Sequence, residues 1–470
     1  MDLHFFEKLE KYSSNKALIS EDSNSLSYEE LNKESKKVAK KLKARTLVLM
    51  ISKNDLASLI FYIACLKAKA VPILLGSNIS SKNFFRIFNE YKPSYVFVSK
   101  EYLSELENYK KLTEIGNHLL CELNNQIDYE IEENLALLMT TSGSTGSPKL
   151  VRLSYDNLQS NSESICEYLD IKPSDRAITS LPMSYSYGLS VINSHLNSGA
   201  SIIITDKSLV EKEFWNLIKE HKATSLSGVP YTYEMLKKLK FGLMHLPNLR
   251  YLTQAGGKLS EELQAYFADI CLEKGIKFFI MYGQTEATAR ISYLPYKKVS
   301  KKIGSIGLPI PNCSLWIQDD EGNQIEEINT PGELVLKGEN VSLGYSESCY
   351  DLNKEDLNNG ILHTGDIAKK DEDGFYFIVG RKKRFLKIFG NRINLDEIES
   401  YLKSLNLDCV CSGTDDNLVI YYSEEINEKD LKHQISNFTG LNKKGFSTKL
   451  IKEIPRNAYG KTLYSKLDST

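Results

Sequence analysis

The chain has 470 residues, 41% of them hydrophobic. That is long for one ordinary domain and supplies a sizeable core, so two or three packed units are expected. Its 59 basic and 61 acidic side chains leave a formal charge of −2, which excludes a net field drawing the chain onto nucleic acid or an anionic membrane and favours a small-molecule substrate.

The opening stretch MDLHFFEKLEKYSSNK carries acidic residues and no apolar core of signal-peptide length. Tyr28, Leu31, Val38, Ala39 and Leu42 recur at helical spacing and predict a helix over 28–42. LASLIFYIACL (56–66) stops at Lys67, too short to span a bilayer. No membrane insertion is expected, and the reading is a cytoplasmic protein. Eight cysteines without CxxC spacing suggest neither a zinc site nor a disulfide framework.

Strand-like runs then recur: VPILL (71–75), YVFVS (95–99), LALLMTT (135–141), SIIIT (201–205), TSLSGV (224–229), LRYLTQA (249–255) and KFFIMY (277–282). Helical patterns such as 211–221 and 261–275 fall between many of them. This alternation predicts an α/β fold with layered, largely parallel sheets, in which ligands collect at the carboxyl ends of strands. From about 303 the pattern changes to short strands and turns, predicting a small β-rich subdomain over about 303–380. After the basic cluster RKKR a new amphipathic pattern, NLDEIESYLKSL, begins. The expected division is a large N-terminal domain, 1–380, and a small C-terminal α+β domain, 381–470.

TTSGSTGSPK (140–149) directly follows an expected strand. Glycines that turn backbone N–H groups inward, hydroxyls that add donors, and a lysine would suit a phosphate; by composition alone the stretch reads equally well as a surface turn. It is not a Walker A loop, because Lys149 follows Pro148 rather than a glycine. Further motifs follow in order: AGGKLS (255–260), MYGQTEA (281–287), HTGDIAKKDEDGFYFIVGRKKR (363–384), KIFGNRINLDEIE (387–399) and PRNAYGK (455–461). Each has an ordinary structural explanation if taken alone. Together, in this order, they resemble the adenylate-forming superfamily of acyl-CoA synthetases, luciferases and peptide-synthetase adenylation domains.

The resemblance implies a large ATP- and acid-binding domain followed by a small mobile one turning about a hinge near Lys383. It implies ATP phosphates held by Thr141, Ser142, Gly143, Ser144, Thr145, Gly146 and Lys149. Ala255, Gly256, Gly257, Tyr282 and Gly283 would line the nucleotide, Thr285 would approach the α-phosphate, and Glu286 the Mg2+ bound to ATP. Asp366 and Arg381 would reach the ribose, where a carboxylate offers two acceptors to a diol. Lys461 would meet the acid carboxylate and α-phosphate, and Lys387 would belong to the thiol-transfer conformation. The reaction implied is attack of a carboxylate on ATP to give acyl-AMP and pyrophosphate, then transfer to a thiol of coenzyme A or of a carrier-protein phosphopantetheine. Delivery of acyl-AMP to an amine or carrier without coenzyme A, and a non-catalytic nucleotide-binding role, are the alternatives.

Two departures matter. Leu150 and Tyr155 stand where a glycine and a histidine are common. Ser184-Tyr185 occupies the place of an aromatic-His or Phe-Asp pair, leaving no carboxylate for an α-ammonium and disfavouring a standard amino-acid adenylation domain. The acid pocket inferred from the resemblance is Tyr185, Tyr187, Val229, Tyr231, Gln254, Ala255 and Ala287. Its tyrosines favour a small, aromatic or polar-substituted acid over a long fatty chain. Arg290 is expected to pair at the surface rather than meet a second carboxylate.

Overall fold

The computed structural model describes residues 3–22, 24–100, 102, 108–124, 129–141, 149–388, 391–424, 426–443, 445–456 and 462–469. Local sequence explains the element boundaries. Ser27 caps the helix Tyr28–Ala39 in a reciprocal capping box with Glu30. The run 56–66 becomes the helix Leu56–Ala68, started by Asp55 and buried along Ala57 to Leu66. It is apolar all round because it is an interior helix, and among the described residues no helix is long and apolar enough to cross a membrane.

Contacts divide the chain into two compact units, residues 1–314 with 336–362, and 315–335 with 363–470. The strands expected as a β-rich subdomain therefore group largely with the C-terminal segment, and the expected boundary near 381–384 falls inside the second unit.

The first unit carries two large sheets, as the alternation of strands and helices predicts. In one, Leu47–Ser52 lies between Val71–Gly76 and Tyr95–Ser99, all parallel, and Leu135–Thr140 extends the parallel run on the far side of Val71–Gly76. Leu150–Ser154 then pairs antiparallel with Leu135–Thr140. Tyr345–Ser346 closes that edge, with Tyr345 opposite Val151 and Ser346 opposite Leu150. In the other sheet, Arg176–Ile178, Ser225–Gly228, Tyr251–Gln254 and Lys277–Tyr282 run parallel as successive neighbours. The carboxyl ends of Leu135–Thr140, Tyr251–Gln254 and Lys277–Tyr282 lead into the motif-bearing loops.

The second unit contains a four-stranded sheet ending in Ile361–Lys370 paired antiparallel with Tyr376–Arg381. A hairpin, Phe385–Ile388 with Asn391–Asn394, follows. The helix Leu395–Ser404 and the sheet Cys409–Thr414, Asn417–Tyr422 and Phe446–Leu450 complete an α+β body with its own apolar core, including Leu402, Cys411, Ile420 and Ile435. All eight cysteines are free thiols.

Candidate active site

The turn after Lys277–Tyr282 is tightly wound. Thr285–Ala287 forms a single 3-10 turn, and Thr288 and Ala289 both take positive φ, 52° and 94°. The chain folds back so closely that a Cβ on Gly283 would stand 2.0 Å from the Ala289 carbonyl oxygen. Only glycine fits there, which is the physical reason for the Tyr-Gly pair. Asn340 fastens the turn by donating from Nδ2 to the carbonyls of Ala287, 3.1 Å, and Arg290, 2.7 Å. The backbone N–H of Ser342 donates to the Glu286 carbonyl at 2.9 Å.

That stitching brings the segment carrying Tyr345 onto Glu286. The Tyr345 hydroxyl donates to Glu286 Oε1 at 2.6 Å. Its ring faces Lys149, whose ammonium lies 3.7 Å from the ring centroid. Burial, and then the neighbouring Glu286 charge, pushes the Tyr345 hydroxyl well above the ordinary phenol range, so it stays a donor at neutral pH. Thr285 points its hydroxyl to Ser186, 3.2 Å away. Lys149 and Glu286 therefore meet on one tyrosine although they stand 137 positions apart in the sequence.

Among the described residues the Glu286 carboxylate has no side-chain partner besides Tyr345, and no cluster of three His, Cys, Asp or Glu could hold a metal alone. This suits Mg2+ arriving with phosphates, since that ion is held by one or two carboxylates plus substrate oxygens and water. The phosphate-loop positions Ser142, Gly143, Ser144, Thr145 and Gly146, and Lys461, lie outside the described residues; Thr141 lies just beyond the end of the strand Leu135–Thr140.

The expected acid pocket is only partly gathered. A Cβ on Gly256, at φ +83°, would stand 2.5 Å from the Tyr185 hydroxyl and 3.1 Å from Val229 Cγ1. Gln254 reaches the Gly257 carbonyl at 2.9 Å, and Ala255 and Ala287 are buried. Tyr187 is buried with its hydroxyl on Thr253 Oγ1, 2.8 Å. Tyr231 is 49% exposed, on the outer side of the helix Pro230–Lys238. Tyr282 lies beside Gln284, which donates to its hydroxyl at 3.2 Å.

Arg290 corrects the expectation of a surface pair. It is 1% exposed, and its guanidinium lies 4.2 Å from the centre of the Tyr187 ring. Its Nη1 donates to the Ala289 carbonyl at 3.2 Å, while its buried Nε has no hydrogen-bond partner. The sequence ATAR gives no sign of this, because the ring that covers the guanidinium, Tyr187, comes from 103 residues upstream.

In the second unit Asp366 and Arg381 are directly opposite on paired strands, with Arg381 Nε 3.4 Å from Asp366 Oδ1. Lys383 is exposed on the 3-10 turn Lys382–Arg384. Lys387 is exposed on its hairpin, whose backbone is held by Asp415 Oδ1 at 2.8 Å and by the Asp416 N–H at 2.8 Å. Sequence reasoning missed Tyr345; the strand GELVLKG (332–338) is visible, but nothing local marks a tyrosine seven residues beyond it as a neighbour of Lys149 and Glu286.

The chain matches the family described as AMP-binding enzyme over residues 5–346. It belongs to that family. It is 28% identical over 473 residues to a 2-succinylbenzoate–CoA ligase of Oceanobacillus iheyensis, covering 96% of each chain. A 2-succinylbenzoate–CoA ligase of Bacillus cereus is 27% identical, with 89% of this chain and 87% of the relative covered. Among solved structures it superposes on O-succinylbenzoate coenzyme A synthetase from Bacillus subtilis in complex with AMP, with a TM-score of 0.80, 23% identity and 100% and 98% of the two chains covered. ATP-bound MatB from Rhodopseudomonas palustris gives 0.78 at 22% identity, covering 100% and 99%. These likenesses establish the α/β adenylate-forming fold for the whole chain.

Proposed function

We propose that this chain is an ATP- and Mg2+-dependent ligase that activates a small carboxylic acid as acyl-AMP, with release of pyrophosphate, and transfers the acyl group to coenzyme A. The observation that carries the reading is the meeting of Lys149 and Glu286 on one tyrosine at the end of the parallel strands, within motifs that run in the family's order. The acid we infer is 2-succinylbenzoate, supported by relatives that carry that name over nearly their whole length. The same names favour coenzyme A over a carrier protein.

Adenylation brings a carboxylate against a triphosphate, so positioning and charge neutralisation dominate the barrier. Bound Mg2+ would neutralise phosphate charge. Lys149 and Lys461 would supply fixed positive charge, Glu286 would hold the metal, and Asp366 and Arg381 would orient the ribose. The Tyr185, Val229 and Gln254 surface around Gly256 would seat the acid. Lys383 would be the pivot about which the segment that follows it offers first Lys461 and then the Lys387 face.

Pyrophosphate release should be followed across a panel of acids, with hydroxylamine to trap acyl-AMP and Lys461→Ala as control. Turnover with 2-succinylbenzoate, lost in the variant, is expected, together with a coenzyme A thioester when the thiol is added. Turnover with other acids only would overturn the substrate, and ATP binding without turnover for any acid would overturn the ligase reading.

A further inference from the structure

A lysine and a glutamate that share one neighbour in a partly buried cleft would ordinarily swing into an ion pair and close the cleft to an incoming ligand. Here they do not. Among the described residues Lys149 makes no ion pair, and its ammonium rests instead on the face of Tyr345, 3.7 Å from the centroid. The Tyr345 hydroxyl occupies Glu286 Oε1 at 2.6 Å and leaves Oε2 without a hydrogen-bond partner among the described residues. Both contacts are of kinds weaker than the ones a nucleotide and its metal would offer, a quadrupole for the cation and a neutral donor for the carboxylate.

The placement follows from the fold. Tyr345 stands opposite Val151 on the edge strand, so its ring falls beside Lys149, which directly precedes the partner strand. Ser342 and Asn340 bind the same segment to the turn holding Glu286. One rigid aromatic side chain thus touches both charged groups and keeps each turned toward the same space.

We propose that Tyr345 is a positioning residue for Mg2+·ATP. Its ring holds the Lys149 ammonium ready for phosphate, and its hydroxyl fixes one oxygen of Glu286 so that the other faces the metal. The hydroxyl thereby sets how much the metal adds to nucleotide affinity, and the ring sets the affinity for the phosphates themselves. This rests on the ligase reading of the same site.

The test is calorimetric titration of the full chain with ATP in the presence of a chelator, and with ATP plus excess Mg2+. It uses the wild type, Tyr345→Phe, Tyr345→Leu and Glu286→Gln. In Tyr345→Phe the metal-free affinity should stay within about twofold, while the gain on adding Mg2+ falls on the order of five- to tenfold, the size of one ordinary net hydrogen bond. Glu286→Gln should lose that gain at least as fully. Tyr345→Leu, which also removes the ring, should weaken metal-free ATP binding as well. A wild-type Mg2+ gain in Tyr345→Phe would overturn the proposal. So would equal loss of both affinities with a lowered melting temperature, the mark of a merely structural tyrosine. Failure of the wild type to bind ATP at all would overturn the ligase reading and this proposal together, whereas normal wild-type binding with an unshifted Tyr345→Phe overturns this one alone.

Discussion

Each unit of this protein holds a cation over a tyrosine whose hydroxyl bonds a glutamate, and the two arrangements differ in one respect. In the second unit Arg384 lies 4.0 Å from the centre of the Tyr464 ring, and Tyr464 donates to Glu399 Oε2 at 2.7 Å. There the cation also reaches the carboxylates directly, pairing with Glu399 and with Asp396 at 2.8 Å, while Arg384 donates to the Cys411 carbonyl and the Cys411 N–H donates to Glu399. Every strong partner is already inside the protein. In the first unit Lys149, Tyr345 and Glu286 form the same chain of contacts without the ion pair. The long fork of arginine lets it stack and pair at once, whereas a lysine ammonium is a single point that here sits on the ring alone. The closed arrangement is suited to holding a fold together, and the open one to receiving a charged ligand.

Breaking the closed arrangement should have the largest effect on stability. Arg384→Met leaves the largely buried Glu399 without its cation, and urea unfolding should show a loss of about 3 kcal/mol. Lys149→Met, the matching change in the open arrangement, should leave the unfolding midpoint nearly unchanged and abolish measurable ATP affinity. Comparable destabilisation by both would mean that the two sites serve the same structural purpose. The next largest contrast comes from neutralising the acids. Glu286→Gln should slow acyl-AMP formation on the order of 10²-fold, the size typical of removing one transition-state charge partner, with the melting temperature held. Glu399→Gln should lower the melting temperature and leave the rate per folded molecule unchanged. A single-turnover pyrophosphate assay paired with thermal unfolding reads both.

The open site was half visible in the sequence. Lys149, Thr285 and Glu286 sit in short motifs whose order along the chain carries the resemblance to the adenylate-forming superfamily, and that resemblance implies their phosphate and metal roles; the strands before them are continuous apolar runs that could be located within a residue or two. Tyr345 could not be seen, because it joins the site through antiparallel pairing with a strand about two hundred residues earlier, and such pairing leaves no local pattern. Arg290 was misjudged for the same reason: a charged residue is usually exposed, and only the packed structure shows Tyr187 lying against its guanidinium. In the second unit the basic run RKKR reads in the sequence only as a cluster at a domain boundary and hinge. Its last member, Arg384, is instead the centre of a largely buried network whose acids lie on the next helix, at Asp396 and Glu399. Periodicity marks that helix, but it does not say which of its acids turn inward.

The finest contrast is between the two hydroxyls, and pH separates them. Burial holds the Glu399 carboxyl above its ordinary range, with Arg384, the Cys411 N–H and the Tyr464 hydroxyl all favouring the ionised form against it. Removing the hydroxyl in Tyr464→Phe raises the folded-state pKa further. A carboxyl whose folded pKa exceeds its unfolded value contributes stability below the unfolded pKa and loses it as pH rises through the folded one. The Tyr464→Phe penalty should therefore be greatest near neutral pH, about 1 kcal/mol for one hydrogen bond to a buried charge that keeps its other partners, and should shrink as the medium approaches the ordinary carboxyl range near about pH 4. Urea midpoints of wild type and variant measured between those limits test this. A penalty that stays constant with pH would place the value of the Tyr464 hydroxyl in packing rather than in its bond to the ionised Glu399. Tyr345→Phe under the same conditions should show little penalty at either pH, because its acceptor, Glu286, is left for ligand to complete.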